Sequence, residues 1–204
     1  MKKSKIIPCI GILLFIISII QVLILKQAHY YILFSIGALI ILSQIYNKIS
    51  KQKLFQSWTK KQFSLFLIIL LITCIIIDKI GISLGYWIYP LYNTLFDEIL
   101  KFPFEWLVPF LYLMYSMLIG QKIFEKYNFK KTTSLILGLI IFTTIAGIIT
   151  EAFNIQIFSW KILSMPISNI KIGEFFIIFQ TIGYWLMAII PYILYKLIGR
   201  VKWL

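Results

Sequence analysis

The apolar positions of this chain come in long unbroken runs. Phe63–Ile77 and Leu135–Ile145 carry apolar residues almost all round a helix, whereas a helix beside water keeps one polar face. A membrane β-barrel strand would instead alternate apolar and polar residues over about ten positions. Crossing a bilayer takes about 20 mostly apolar residues in a helix. Six segments qualify: 6–25, 29–46, 63–84, 104–120, 133–151 and 174–195. The chain thus reads as an all-α integral membrane protein, with six transmembrane helices forming three hairpins.

Composition narrows the reading further. Of 204 residues, 61% are hydrophobic and only 13% charged, and the mean hydropathy is +0.93. A soluble domain carries about 25% charged residues. Too little polar surface is available for a water-soluble globule, so a soluble enzyme, a disordered chain and a secreted disulfide scaffold are excluded. Residues 1–204 are expected to form a single transmembrane bundle. Its first span follows a Lys-rich start, like a signal peptide, but it is long and no small-residue cleavage site follows, so it reads as a retained anchor.

The net charge of +13 is a topology signal. One side of the six spans holds Lys2, Lys3, Lys5, Lys48, Lys51, Lys53, Lys60, Lys61, Lys122, Lys126, Lys130, Lys131, Lys196, Arg200 and Lys202, which is 15 of the 20 basic residues. The other side holds Lys26, Lys79, Lys101, Lys161 and Lys171. Positive residues stay on the cytoplasmic side, which predicts a multi-pass protein of the cell membrane with both termini cytoplasmic. Nucleic acid is not needed to explain the charge. The acids gather on the opposite side: Asp78, Asp97, Glu98, Glu105, Glu151 and Glu174, with Glu125 alone inside. Acidic residues hardly influence orientation, so something on the outer side uses them.

The second and third hairpins share a layout. Asp78 ends the third span, Trp87 follows nine residues later, then Pro90, and Glu105 opens the fourth span. Glu151 ends the fifth span, Trp160 follows nine residues later, then Pro166, and Glu174 opens the sixth. This predicts an N-terminal hairpin (1–62) followed by two parallel internal repeats (63–131 and 132–204), a plan in which the site lies at the repeat interface. Leu91–Phe102 reads as an amphipathic interfacial helix with Asp97 and Glu98 solvated. Gly81 and Gly85 read as a small-residue pair for close helix packing.

An ionisable residue at membrane depth is a functional hypothesis by default. Glu105 after Pro103, and Glu174 after Gly173, are expected in first helical turns, where the dipole favours a carboxylate. Asp78 and Glu151 sit at helix C-terminal ends, where dipole and burial both oppose the charge. Lys79 does not help Asp78, because sequence neighbours on a helix do not face each other. One or both of these acids are therefore expected to be protonated. Together the four form the candidate catalytic set, with Trp87, Tyr89, Trp106, Asn154 and Trp160 as candidate substrate-binding residues. Trp87, Tyr89, Trp106 and Trp160 fit an interfacial aromatic belt equally well. A protonated carboxyl in an aromatic cleft suits acid-initiated chemistry on a lipid-soluble substrate, with aromatic faces and carboxylates to stabilise a carbocation. His29 is the lone histidine, and Cys9 and Cys74 lie at opposite depths. No metal cluster, no cofactor and no structural disulfide are expected.

The segment Ile77-Asp78-Lys79-Ile80-Gly81-Ile82-Ser83-Leu84-Gly85-Tyr86-Trp87, followed by Phe102-Pro103-Phe104-Glu105-Trp106 and Phe110-Leu111-Tyr112, resembles the lycopene cyclase domain family. Its members carry an Asp before a Gly-Ile-x-x-Gly stretch, then Pro-x-Glu-Glu ahead of a Phe-rich helix, as single or fused tandem repeats. The resemblance implies cofactor-independent, proton-initiated ring closure at the ends of lycopene, an isomerase activity of carotenoid biosynthesis, with Asp78 and Glu105 as active carboxylates. The second Glu of the pair is Trp106 here, and the third hairpin keeps only Glu151, Trp160 and Glu174. The expected partners are membrane lipids and a hydrophobic or small-molecule substrate, with a homo-oligomer left open. The alternative is a six-helix substrate-binding subunit of a small-molecule transporter. A third reading is an assembly protein whose acids merely pair with Lys79, Lys161 and Lys171.

Overall fold

A computed structural model describes residues 3–27, 29–91, 94–164, 170–172 and 175–200. Eight helices are present among them: α1 (Lys3–Leu23), α2 (Tyr30–Ser50), α3 (Lys60–Ser83), α4 (Leu95–Leu100), α5 (Val108–Lys126), α6 (Lys131–Leu137), α7 (Thr144–Asn154) and α8 (Ile177–Ile198). Two π-helical segments bridge neighbours, Lys101–Leu107 between α4 and α5, and Gly138–Thr143 between α6 and α7. Six helical stretches are long and apolar enough to cross a membrane: Ile6–Leu23, Tyr30–Ser50, Lys60–Ser83, Lys101–Lys126, Lys131–Asn154 and Gln180–Ile198.

The fourth stretch is the least apolar of the six, yet 72% of its apolar 18-residue segment is buried, against 17–28% in the others. In lipid there is no gain in hiding a Leu or Ile side chain, so the helix that carries the polar atoms takes the centre, where other helices satisfy them. Tyr112 and Ser116 show this: the Tyr112 hydroxyl pairs with Thr150 Oγ1 at 2.7 Å, and Ser116 Oγ donates to the Phe142 carbonyl at 2.9 Å. Gly120 of α5 crosses Gly138 closely, and a Cβ on Gly120 would lie 2.7 Å from the Gly138 Cα. α3 and α8 join at their inner ends, where Trp58 stacks on Tyr195 at 5.1 Å and the Gln62 amide donates to the Ile198 carbonyl at 3.4 Å.

Beyond the outer ends of α3 and α7 the chain forms short strands. β1 (Trp87–Ile88) pairs antiparallel with β2 (Lys161–Ile162), Trp87 opposite Ile162 and Ile88 opposite Lys161. The Leu163 amide extends the pairing to the Tyr86 carbonyl at 2.8 Å. β3 (Lys171–Ile172) and β4 (Phe175–Phe176) form a second small hairpin.

Three local expectations are corrected. Glu105 does not lie in a first helical turn: the helix starts at Thr94, whose hydroxyl and Asp97 form a reciprocal capping box, and continues through the π-helical segment into α5. Asp97 is accordingly buried, taking the Thr94 amide at 3.0 Å and lying 3.3 Å from His29 Nε2. Gly81 does not serve helix–helix packing. The Trp87 indole lies against its Cα, in space that a side chain would fill. Gly85, at φ +69°, ends α3 in the left-handed region that glycine adopts without strain.

Candidate functional site

Between the outer ends of α3, α5, α7 and α8 lies a cavity of about 380 Å³. Its walls include Glu105 and Trp106 from the π-helical segment, Glu151 from α7, and Trp87, Tyr89, Trp160 and Ile162 from the outer loops. Ile77 of α3 and Ile182, Gly183, Leu186, Met187 and Ile190 of α8 complete its apolar side. Six of the nine predicted site residues therefore line one space. Asp78 and Asn154 stand behind it, and Glu174 lies outside the described residues.

Asp78 is fully buried, and so is the cation that meets it: Lys101 Nζ lies 3.1 Å from Asp78 Oδ2. The sequence reading left Asp78 without a counter-charge and counted Lys101 among the outer lysines. The continuous helix from Leu95 turns Lys101 inward, over the faces of Tyr89 at 4.3 Å and Phe102 at 4.9 Å. Asp78 Oδ1 accepts from Trp87 Nε1 at 3.1 Å and from the Tyr89 hydroxyl at 2.6 Å. Trp106 Nε1 then donates to Tyr89 Oη at 2.8 Å. A carboxylate so surrounded is an anchor for three aromatic walls. Burial, then the Asp78 charge beside it, push the Tyr89 hydroxyl well above the usual tyrosine range, so it keeps the proton it donates.

Glu151 has neutral partners. The Tyr184 hydroxyl and Trp160 Nε1 donate to Oε1, the latter at 3.2 Å. Asn154 Nδ2 donates to Oε2 at 3.2 Å and to the Trp160 carbonyl at 3.0 Å, while its Oδ1 accepts from the Trp160 amide at 3.3 Å. Asn154 is thus a clasp between Glu151 and Trp160 and does not line the cavity, in contrast to its expected substrate-binding role. The two Trp residues placed nine positions after an acid both donate to that acid, which gives the spacing its physical reason.

Behind Glu151, Thr150 Oγ1 donates to the Ala146 carbonyl at 2.9 Å, so Tyr112 must donate to Thr150, and Tyr31 to Tyr112 at 3.1 Å. The Tyr31 ring meets the Trp160 indole edge-on at 4.8 Å. Sequence reasoning missed Lys101, Tyr184 and Gln180, which also hydrogen-bonds Glu151. Their signal was a helical one: Lys101 stands four residues before Glu105, and Gln180 four before Tyr184, so each pair shares a helix face. Among the described residues no group of three or more His, Cys, Asp or Glu side chains is arranged to hold a metal ion. No family model, no curated protein and no solved structure matches this chain.

Proposed function

We propose that this protein is a cofactor-independent isomerase of the cell membrane that protonates the end of a lipid-borne polyene and closes it into a ring, as the resemblance to lycopene cyclase domains implies. One observation carries the reading: Glu105 and Glu151 face a single apolar, tryptophan-lined cavity within the membrane-spanning part of the bundle. Its volume lies in the range of about 300–1,000 Å³ typical of small-molecule sites.

Glu151 is the acid. It is 4% exposed, its partners are neutral, and a lone carboxylate at membrane depth is costly, so the neutral acid is the form the site holds. Its proton adds to a terminal carbon–carbon double bond. The π electrons of a neighbouring double bond then attack the resulting cation and close the ring. The ring cation returns one proton to the Glu151 carboxylate, so substrate and product share one formula. Glu105, which lines the same cavity, and the faces of Trp87, Trp106 and Trp160 stabilise the cation. Asp78 and Lys101 hold the aromatic walls in place.

The reading includes the two-repeat plan. Ile88 and Lys161 stand opposite each other, each one residue past the Trp that binds its acid. Equivalent positions meeting across an antiparallel pair support a pseudo-twofold axis along the membrane normal, and the proposal places both termini in the cytoplasm. The paired strands also cross the outer end of the cavity, which favours a lipid-soluble substrate over the water-soluble nutrient of a transporter subunit.

The test is expression in a lycopene-accumulating bacterium, with the pigments resolved by chromatography and mass detection. Monocyclic or bicyclic products of unchanged mass are expected, lost on Glu151→Gln and reduced on Glu105→Gln. Unchanged lycopene, with the protein present in the membrane, would remove the proposed chemistry.

A further inference from the structure

We infer that the cavity is loaded sideways from the bilayer, through a portal between the outer halves of α3 and α8 at Gly183, and that it takes one end of a long apolar chain whose remainder stays in the lipid. The inference deepens the proposed function by naming the access route and the shape of the substrate, and it stands or falls separately from the ring-closing chemistry.

Three features converge on the portal. The first is that two helices in contact at their inner ends both line the cavity beyond that contact. α3 and α8 are pinned together at their inner ends by Trp58, Tyr195, Gln62 and Ile198. Towards the outer half the cavity is lined by Ile77 of the one and by Ile182 to Ile190 of the other. The second is exposure. Ile182 and Leu186 line the cavity and are nonetheless exposed, at 37% and 53%. Cavity-lining residues so accessible are what an opening on this side of the cavity would produce. The third is Gly183 itself, which lines the cavity on the turn between those two residues. A Cβ built there meets no atom of the described residues within 4 Å, which leaves the space beside this helix open among them.

The aqueous route is obstructed by comparison. Trp87 pairs with Ile162, Ile88 with Lys161, and Leu163 with Tyr86 across the outer end, and Ser164 Oγ adds a bond to the Gly85 carbonyl at 3.1 Å. A substrate from water would have to part this pairing, whereas an apolar chain already in the bilayer meets an opening lined by Ile, Leu and Gly. The occupant follows from size and lining. At about 380 Å³ the cavity is near the lower end of sites that enclose a whole small molecule, so it holds an end group and leaves the rest of a long chain outside.

The probe is a conjugated tetraene fatty alcohol added to the full-length protein in lipid nanodiscs, its binding read as quenching of tryptophan emission. Gly183→Phe fills the open space beside α8 and should weaken binding by about tenfold or more. Leu186→Trp, at an exposed residue of the same lining, should do the same and serves as the second variant should Gly183→Phe fold poorly. A disulfide between Ile88→Cys and Lys161→Cys, in a Cys9→Ser, Cys74→Ala background, locks the outer pairing and should leave probe affinity within about twofold. Binding unaffected by both portal variants, or abolished by the locked strands, would overturn the lateral route. Normal, portal-dependent binding together with unchanged lycopene in cells would leave the portal standing and remove only the ring-closing chemistry.

Discussion

At the scale of single residues, the Asp78–Lys101 pair sets the outer walls of the site. Both side chains are fully buried, and each is the other's counter-charge. Removing one partner of such a pair strands a buried charge and costs about 3–5 kcal/mol, whereas replacing both by neutral groups of similar size costs far less. Asp78→Asn and Lys101→Met are therefore each expected to lower the melting temperature in detergent sharply, and the double variant to recover most of the loss. A double-mutant cycle with additive losses would show that the pair is not coupled. The Tyr89 hydroxyl gives a second expectation. Its proton is held well above the ordinary value of 10.0 by burial and by Asp78. Above pH 10 the unfolded chain gives up this proton while the folded chain keeps it, so the contribution is fully present below that pH and is lost as pH rises beyond it. Tyr89→Phe should flatten the alkaline fall in melting temperature, a change measurable against Tyr127→Phe, an exposed tyrosine at the other end of the bundle.

At the scale of elements, the spans were legible because lipid demands an uninterrupted apolar length, which a linear sequence displays directly. Predicted spans such as 63–84 and 133–151 lie within a few residues of Lys60–Ser83 and Lys131–Asn154. The interior of the site was less legible, because it depends on helix phase. Pro103 suggested a fresh helix start, and with it a first-turn Glu105. The helix instead begins at the Thr94 cap and takes up Pro103, which has no N–H to donate, within a π-helical segment. That continuity alone carries Lys101 from the outer surface to Asp78. The strand pairing of Trp87 with Ile162 was beyond sequence reasoning for another reason. Two-residue strands leave no alternation to read, and their partners lie 75 residues apart along the chain. The Trp spacing was visible as a pattern, and the side-chain bonds to Asp78 and Glu151 supply its cause.

At the scale of the whole molecule, the two outer loops can pair only if the hairpins that carry them point the same way through the membrane. In the proposed topology Ile88 opposite Lys161 keeps both loops on one side, and six crossings return both chain ends to the other. We propose, from the excess of Lys and Arg on the side of the termini, that this side is cytoplasmic, since such residues are retained there. Single cysteines placed in a Cys9→Ser, Cys74→Ala background read this out. Lys161→Cys, exposed beside the strand pair, should react with a membrane-impermeant maleimide on intact cells. Lys53→Cys, exposed in the loop between α2 and α3, should react only after the membrane is permeabilised. The reverse pattern would invert the protein and move the cavity to the inner leaflet, with its charge bias unexplained. Labelling of both positions from one side would mean that α3 to α7 do not cross an odd number of times, and the paired loops could not then close over a cavity between two like-oriented hairpins.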